Sequence, residues 1–252
     1  MHHLANARVG LNNLIKKTTM NFAEQILAFN QSLVIDESLL PEGIAVMNPF
    51  RDERVLQITQ TFYRKYFDDN QKRFMIIGIN PGRFGGGVTG IPFTDPHKLN
   101  NYCGIKIGDL SAPELSADFV YNVINQYGGT EKFYKKFFLT AVSPLGFLKS
   151  KNGKMINYNY YDSNELQEAI RDFIIDSITR QLAFGIHRSV CFCLGTGKNY
   201  EYLSKLNASH GFFKEIVPLS HPRFVMQYRR KKIDQFVDEY LAAFKMAEAK
   251  IL

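Results

Sequence analysis

Four short apolar runs, residues 74–79, 137–142, 189–194 and 213–219, constrain this chain more than any other feature. The first three are almost wholly apolar over the length of one strand, the pattern of β-strands covered on both faces. Helical spacing fills the intervals. Residues 21–34 read as an amphipathic helix. Asn48-Pro49 reads as the N-cap and first position of another, running to Phe67 with Val55, Ile58, Phe62 and Tyr66 on one side. A third, 113–127, stops at Gly128-Gly129. Asp162-x-x-Glu165 resembles a capping box and opens a helix toward Phe184. Residues 197–206 and 228–249 supply the last two, while 80–94 form a Gly/Pro-rich loop and 149–154 a polar one. Strands alternating with helices predict an α/β fold around a parallel sheet. One domain is expected over residues 20–252, with 1–19 a tail or added helix.

Composition narrows the class. Charged residues at 22 % and aromatics at 13 % exclude a disordered chain. No apolar run approaches the ~20 residues that cross a bilayer. Residues 1–35 lack the basic, apolar and small-residue order of a signal peptide. An intracellular protein is expected, cytoplasmic or, in a eukaryote, nuclear. Cys191 and Cys193 fall on one face of a strand, where an ordinary disulfide between them is implausible, so they read as buried thiols. The formal charge is +7, and residues 198–232 alone carry eight Lys/Arg against two acids. Such a basic segment suits a polyanion, although it also suits a solvated face.

Ligand sites in open parallel sheets lie beyond the carboxyl ends of the strands. Three ends matter here: Gly78-Ile-Asn-Pro-Gly82, Thr140-Ala-Val-Ser-Pro144 and Leu219-Ser-His-Pro222. They bring Asn80 and His221 to one edge. The glycines of 82–90 allow close backbone approach to a ligand, yet neither G-x-x-x-x-G-K-[ST] nor G-x-G-x-x-G is present, and Gly195-Thr-Gly-Lys198 is only half a P-loop. No G-x-S-x-G elbow surrounds Ser143. Asp95, His97 and His221 make a thin set for a metal.

The run Gly78-Ile-Asn-Pro-Gly-Arg-Phe-Gly-Gly-Gly-Val-Thr-Gly-Ile-Pro-Phe93 resembles the signature loop of the single-strand-selective monofunctional uracil-DNA glycosylases. Ser143-Pro-Leu-Gly-Phe147 and Ser220-His-Pro-Arg223 follow in the family's order. The resemblance implies a three-layer α/β/α sandwich with a short, mainly parallel central sheet. It implies a glycosylase that flips a damaged base out of DNA, uses no cofactor or metal, and works as a monomer. Asn80 would orient the attacking water, and His221 would hydrogen-bond the departing base. Phe93 would stack on that base, and Ile79, Gly82 and position 141 would line its pocket. Arg83, Gly85, Arg223, Phe224, Tyr228, Arg229, Arg230, Lys231 and Lys232 would face DNA. No lysine matches a Schiff-base position, so hydrolysis without strand cleavage is expected.

Taken singly, each residue has a plainer reading: Asn-Pro opens turns, His221 sits in a loop, and Phe93 suits a core. Three departures from the family stand out. Ala141 replaces a base-reading Asn, Arg83 replaces a Pro, and His-Pro-Arg223 lacks the fuller His-Pro-Ser-Pro run. The loss at 141 leaves room for a deaminated purine such as xanthine or hypoxanthine. It also leaves open a non-catalytic binder of damaged or single-stranded DNA, and the glycine loop leaves open a small-molecule enzyme.

Overall fold

The computed structural model describes residues 20–108 and 112–251. Helix α1 (Phe22–Ser32) starts on a reciprocal capping box between Asn21 and Glu24. A short strand follows, β1 (Ile44–Met47). The helix expected from Asn48 is two elements. Asn48 caps a 3-10 turn at Pro49–Arg51, and Asp52 then caps α2 (Glu53–Phe67), because its carboxylate accepts the Arg54 N–H. Strand β2 (Arg73–Gly78) is buried throughout.

The glycine loop after β2 contains one helical turn, α3 (Gly86–Thr89). Asp95 caps α4 (Pro96–Cys103), then come α5 (Leu115–Tyr127), α6 (Thr130–Lys136) and β3 (Phe137–Ala141). Gly128 closes α5 at φ 117°, a left-handed conformation that glycine enters without Cβ strain.

The polar loop expected at 149–154 is instead a hairpin, β4 (Gly146–Lys151) and β5 (Lys154–Tyr158). Asn152 (φ 50°) and Gly153 (φ 73°) form its tip, the residue pair that a tight two-residue hairpin turn prefers. β1 pairs with β4, giving a small antiparallel sheet, β1-β4-β5. Next is α7 (Asn164–Ala169), capped by Ser163 rather than Asp162; the Asp162 carboxylate accepts the Asn159 N–H. The helix breaks at Ile170 before α8 (Arg171–Leu182). β6 (Ile186–Leu194), α9 (Lys198–His210), β7 (Ile216–Leu219), α10 (Pro222–Tyr228) and α11 (Ile233–Ala249) complete the chain. The single helix expected over 228–249 is thus a 3-10 turn at Arg230–Lys232 followed by α11, and α10 before it was not expected.

The main sheet is wholly parallel, in the order β3-β2-β6-β7. Alternate side chains of β3 define its two covers. Phe138 packs on Phe22 of α1, and Phe137 packs on Phe244 of α11. The architecture is the three-layer α/β/α sandwich expected, with the antiparallel hairpin sheet as an unforeseen addition. Cys103, Cys191 and Cys193 are buried free thiols.

Arg73, at the start of β2, is fully buried. Both terminal nitrogens pair with the Asp69 carboxylate at 2.8 and 2.9 Å, and Nε and Nη2 donate to the carbonyls of Tyr134 and Tyr66. The guanidinium lies 4.6 Å from the ring centres of both Phe22 and Phe67.

Candidate active site

The carboxyl ends of β2 and β7 open into a cleft of about 980 Å³. Ile79, Asn80, Gly82, Arg83, Phe93, His221, Arg223, Phe224 and Tyr228 all line it. Their convergence follows from the parallel topology, since every strand of the main sheet delivers its last residue to the same edge.

Asn80 leaves β2 with its side-chain amide committed to backbone partners. Oδ1 accepts the Tyr160 N–H at 3.0 Å, and Nδ2 donates to the carbonyls of Tyr158 and Pro81 at 3.2 Å each. Because the Tyr160 N–H must find an acceptor, the amide can point only one way. Both Nδ2 protons are then used, and one Oδ1 lone pair is left for a ligand. The partners come from the end of β5, so the hairpin fixes this residue. Its neighbour Asn157 accepts the Arg83 N–H at 2.9 Å. Below it, the Tyr160 hydroxyl donates to Asn199, whose Nδ2 donates to the Leu194 carbonyl at 3.1 Å.

His221 is the N-cap of α10, where its Nδ1 accepts the Arg223 N–H at 3.2 Å. That bond fixes the tautomer and leaves Nε2–H as a donor. Burial, with the Arg223 charge adding to it, lowers its pKa to about 4, so the ring is neutral at pH 7. The Tyr240 hydroxyl of α11 donates to the Ser220 carbonyl at 2.5 Å and steadies the turn before it.

Phe93 adopts φ 53°, unusual for a residue with a Cβ. Its ring lies 6.1 Å from that of His221 and passes so close to Gly78 that a Cβ there would meet Phe93 Cζ at 2.8 Å. Gly78 is therefore required for the placement of this ring.

Behind the cleft is a cavity of about 60 Å³ that shares Ile79, Asn80, Gly82 and Phe93 with it. Ala141 lines this cavity and pairs with Gly78 across the sheet. Glu114 borders both spaces. Burial first, and then the Asp95 charge, raise its pKa to about 7.

Other expectations land differently. Gly85 is buried with its Cα against the Glu114 carboxylate, so it presents no surface to DNA. Arg229, Arg230, Lys231 and Lys232 are exposed but lie beyond the cleft, around the turn joining α10 to α11. Arg229 stacks 5.2 Å from the Phe224 ring, which is 5.8 Å from that of Tyr228. Across the cleft, Arg83 stacks on exposed Phe84 at 5.5 Å. The Ser143 hydroxyl is buried and donates to the Leu145 carbonyl, and Asp95 serves as a cap. Among the described residues no cluster of three His, Cys, Asp or Glu could hold a metal, and no helix is long and apolar enough to cross a membrane.

Sequence reasoning missed Asn157, Tyr158, Tyr160, Asn199 and Glu114. It also set aside Gly195–Lys198, which lines the cleft at the start of α9, where no side chain caps the helix. The Asn152-Gly153 pair was the one signal that could have located the hairpin.

The profile of the uracil DNA glycosylase superfamily matches residues 64–245. The crystal structure of wild-type Pedobacter heparinus SMUG2 is similar at 48 % identity, covering 92 % of this chain and all of that one, with a TM-score of 0.89. No curated protein matches the chain. The overall fold thus has its counterpart in a solved structure, and this chain belongs to the uracil-DNA glycosylase superfamily, as a DNA-repair glycosidase with DNA as its substrate.

Proposed function

We propose that the protein excises uracil and related deaminated or oxidised bases, hypoxanthine and xanthine among them, as a monofunctional hydrolytic glycosylase. The observation that carries this reading is the meeting of Asn80, His221 and Phe93 in one cleft. The flipped base stacks on Phe93. The N-glycosidic bond breaks with its electron pair going to the base, and the neutral His221 donates Nε2–H to the base carbonyl where charge gathers. The remaining Oδ1 lone pair of Asn80 accepts a hydrogen bond from the water and orients it toward the sugar carbon. That water supplies hydroxyl to the sugar and, in net terms, a proton to the base.

Arg83, Arg223 and Arg229–Lys232 meet phosphates, so affinity falls steeply with salt. The Phe224–Tyr228 pair fills the gap the base leaves. A lone monomer of one domain, working inside the cell, suffices for this chemistry. Lys198 is exposed on the rim, which is a poor setting for a Schiff-base nucleophile, so no lyase step is assigned.

The test is alkaline cleavage of end-labelled oligonucleotides carrying uracil, xanthine or hypoxanthine, single-stranded and paired. Asn80→Ala should lower the single-turnover rate by about 10²–10³-fold while leaving DNA binding in place. A normal rate in that variant would refute the assignment. Ala141 favours one rival, a binder without activity, and tight salt-sensitive binding with no abasic product from any lesion would establish it.

A further inference from the structure

We propose that Glu114 is the residue that hydrogen-bonds the edge of the flipped-out base, in the role that Ala141 is chemically unable to fill; this rests on the glycosylase reading above. Thr140 and Gln181 line the inner cavity but pair with each other at 2.6 Å, and Asn80 has committed both amide protons. Glu114 Oε2 is buried with no hydrogen-bond partner. A buried polar atom left unpaired costs ~1–3 kcal/mol, and a native structure tolerates this where a ligand completes the bond.

Position supports the same conclusion. Glu114 is the N-cap residue of α5, yet its side chain makes no cap bond. Its backbone N–H is held by Asp95 Oδ2 at 3.0 Å, so the main chain is anchored independently of the carboxyl. The side chain turns to the glycine loop instead. A Cβ at Gly85 would meet Oε2 at 1.8 Å, so glycine is what admits the carboxyl there. Glu114 also borders both the open cleft and the inner cavity, as do Asn80 and Phe93.

The chemistry specifies the ligand class. A neutral carboxyl presents O–H and C=O side by side, matching the C=O and N–H of a lactam. Uracil, hypoxanthine and xanthine all carry that edge, so one group serves both ring sizes. Ionised, the same carboxyl turns two acceptors toward a carbonyl and loses the match. The charged groups facing it are Asp95, at the head of α4, and Arg223, on α10; His221 shares the cleft as a neutral ring, and Gly85–Thr89 carries no ionisable side chain. The raised pKa agrees with a carboxyl that is substantially protonated near neutrality.

The experiment measures single-turnover excision of uracil and hypoxanthine between about pH 6 and about pH 9 by wild type, Glu114→Gln, Glu114→Ala and Asn80→Ala. Wild type should slow as pH rises through about 7. Glu114→Gln, whose amide keeps one donor and one acceptor, should stay within about threefold of wild type at the acid end and lose the alkaline fall. Glu114→Ala should lose about 10²-fold on both bases. Folding is followed by melting temperature. A raised carboxyl pKa means stability is lost as pH rises, so both Glu114 variants should melt higher than wild type at about pH 8, with a smaller gain at about pH 5. Wild-type rates and an unchanged pH profile in both variants would overturn the assignment while the glycosylase reading stands. A wild type inactive on every lesion, or an Asn80→Ala variant as fast as wild type, would overturn that reading and this inference with it.

Discussion

At its amino end β2 begins with Arg73, whose charge is met by Asp69, by three carbonyls and by two aromatic faces. At its carboxyl end, past the buried strand, the chain delivers Asn80 to the cleft that His221 and Glu114 also line; Asn80 keeps one Oδ1 lone pair and His221 its Nε2–H for a ligand, and Glu114 Oε2 has no protein partner. One end uses polarity to close the core, and the other keeps it unsatisfied. A parallel sheet makes this division natural, because its strands all start on one side and finish on the other. On the proposed function, stability and catalysis are assigned to opposite ends of a single strand.

Three substitutions probe that separation. Arg73→Met should be the most damaging to the fold, costing ~3 kcal/mol because it strips a partner from Asp69 and leaves the Tyr134 and Tyr66 carbonyls unpaired. The urea midpoint should drop with an unchanged slope, and excision by the folded fraction should stay near wild type. A rate loss in the folded protein would show that the two ends are coupled.

Gly78→Ala should act oppositely. The new methyl displaces the Phe93 ring, so the excision rate falls by about 10²-fold, while the melting temperature moves far less than in Arg73→Met. Stopped-flow excision on single-stranded uracil substrate would measure it.

Ala141→Asn is the mildest of the three. An amide added to the cavity wall should favour uracil over hypoxanthine by about tenfold, read as the ratio of kcat/KM values. An unchanged ratio would place the purine ring away from this wall.

The sequence made some of this visible and concealed the rest for identifiable reasons. Phe74–Ile79 and Phe137–Val142 stood out because strands covered on both faces need apolar residues at every position. The hairpin did not, since Lys149, Ser150, Lys151 and Lys154 lie toward solvent and leave no alternation to read. The meeting of Asn80 and Phe93 with His221 was legible, the first two through a loop of unusual composition and His221 through the Ser-His-Pro turn at the end of the last strand. Glu114 was not, because an acid between Pro113 and Leu115 looks like any helix start. Only burial distinguishes it, and burial is a property of the folded chain. The basic residues at 229–232 were visible as charge, while their turn between two helices depended on where α10 ends.

The hairpin tip at Asn152-Gly153 has a practical consequence. A chain divided there leaves Asn80 on one piece, and Tyr158, Tyr160 and His221 on the other. Neither piece alone brings Asn80, its hairpin partners and His221 together. Rejoining them re-forms the β4–β5 pairing and with it the clamp on Asn80. Two fragments split at this tip, each fused to one member of an interacting pair, would thus make a reporter whose signal is an abasic site in DNA.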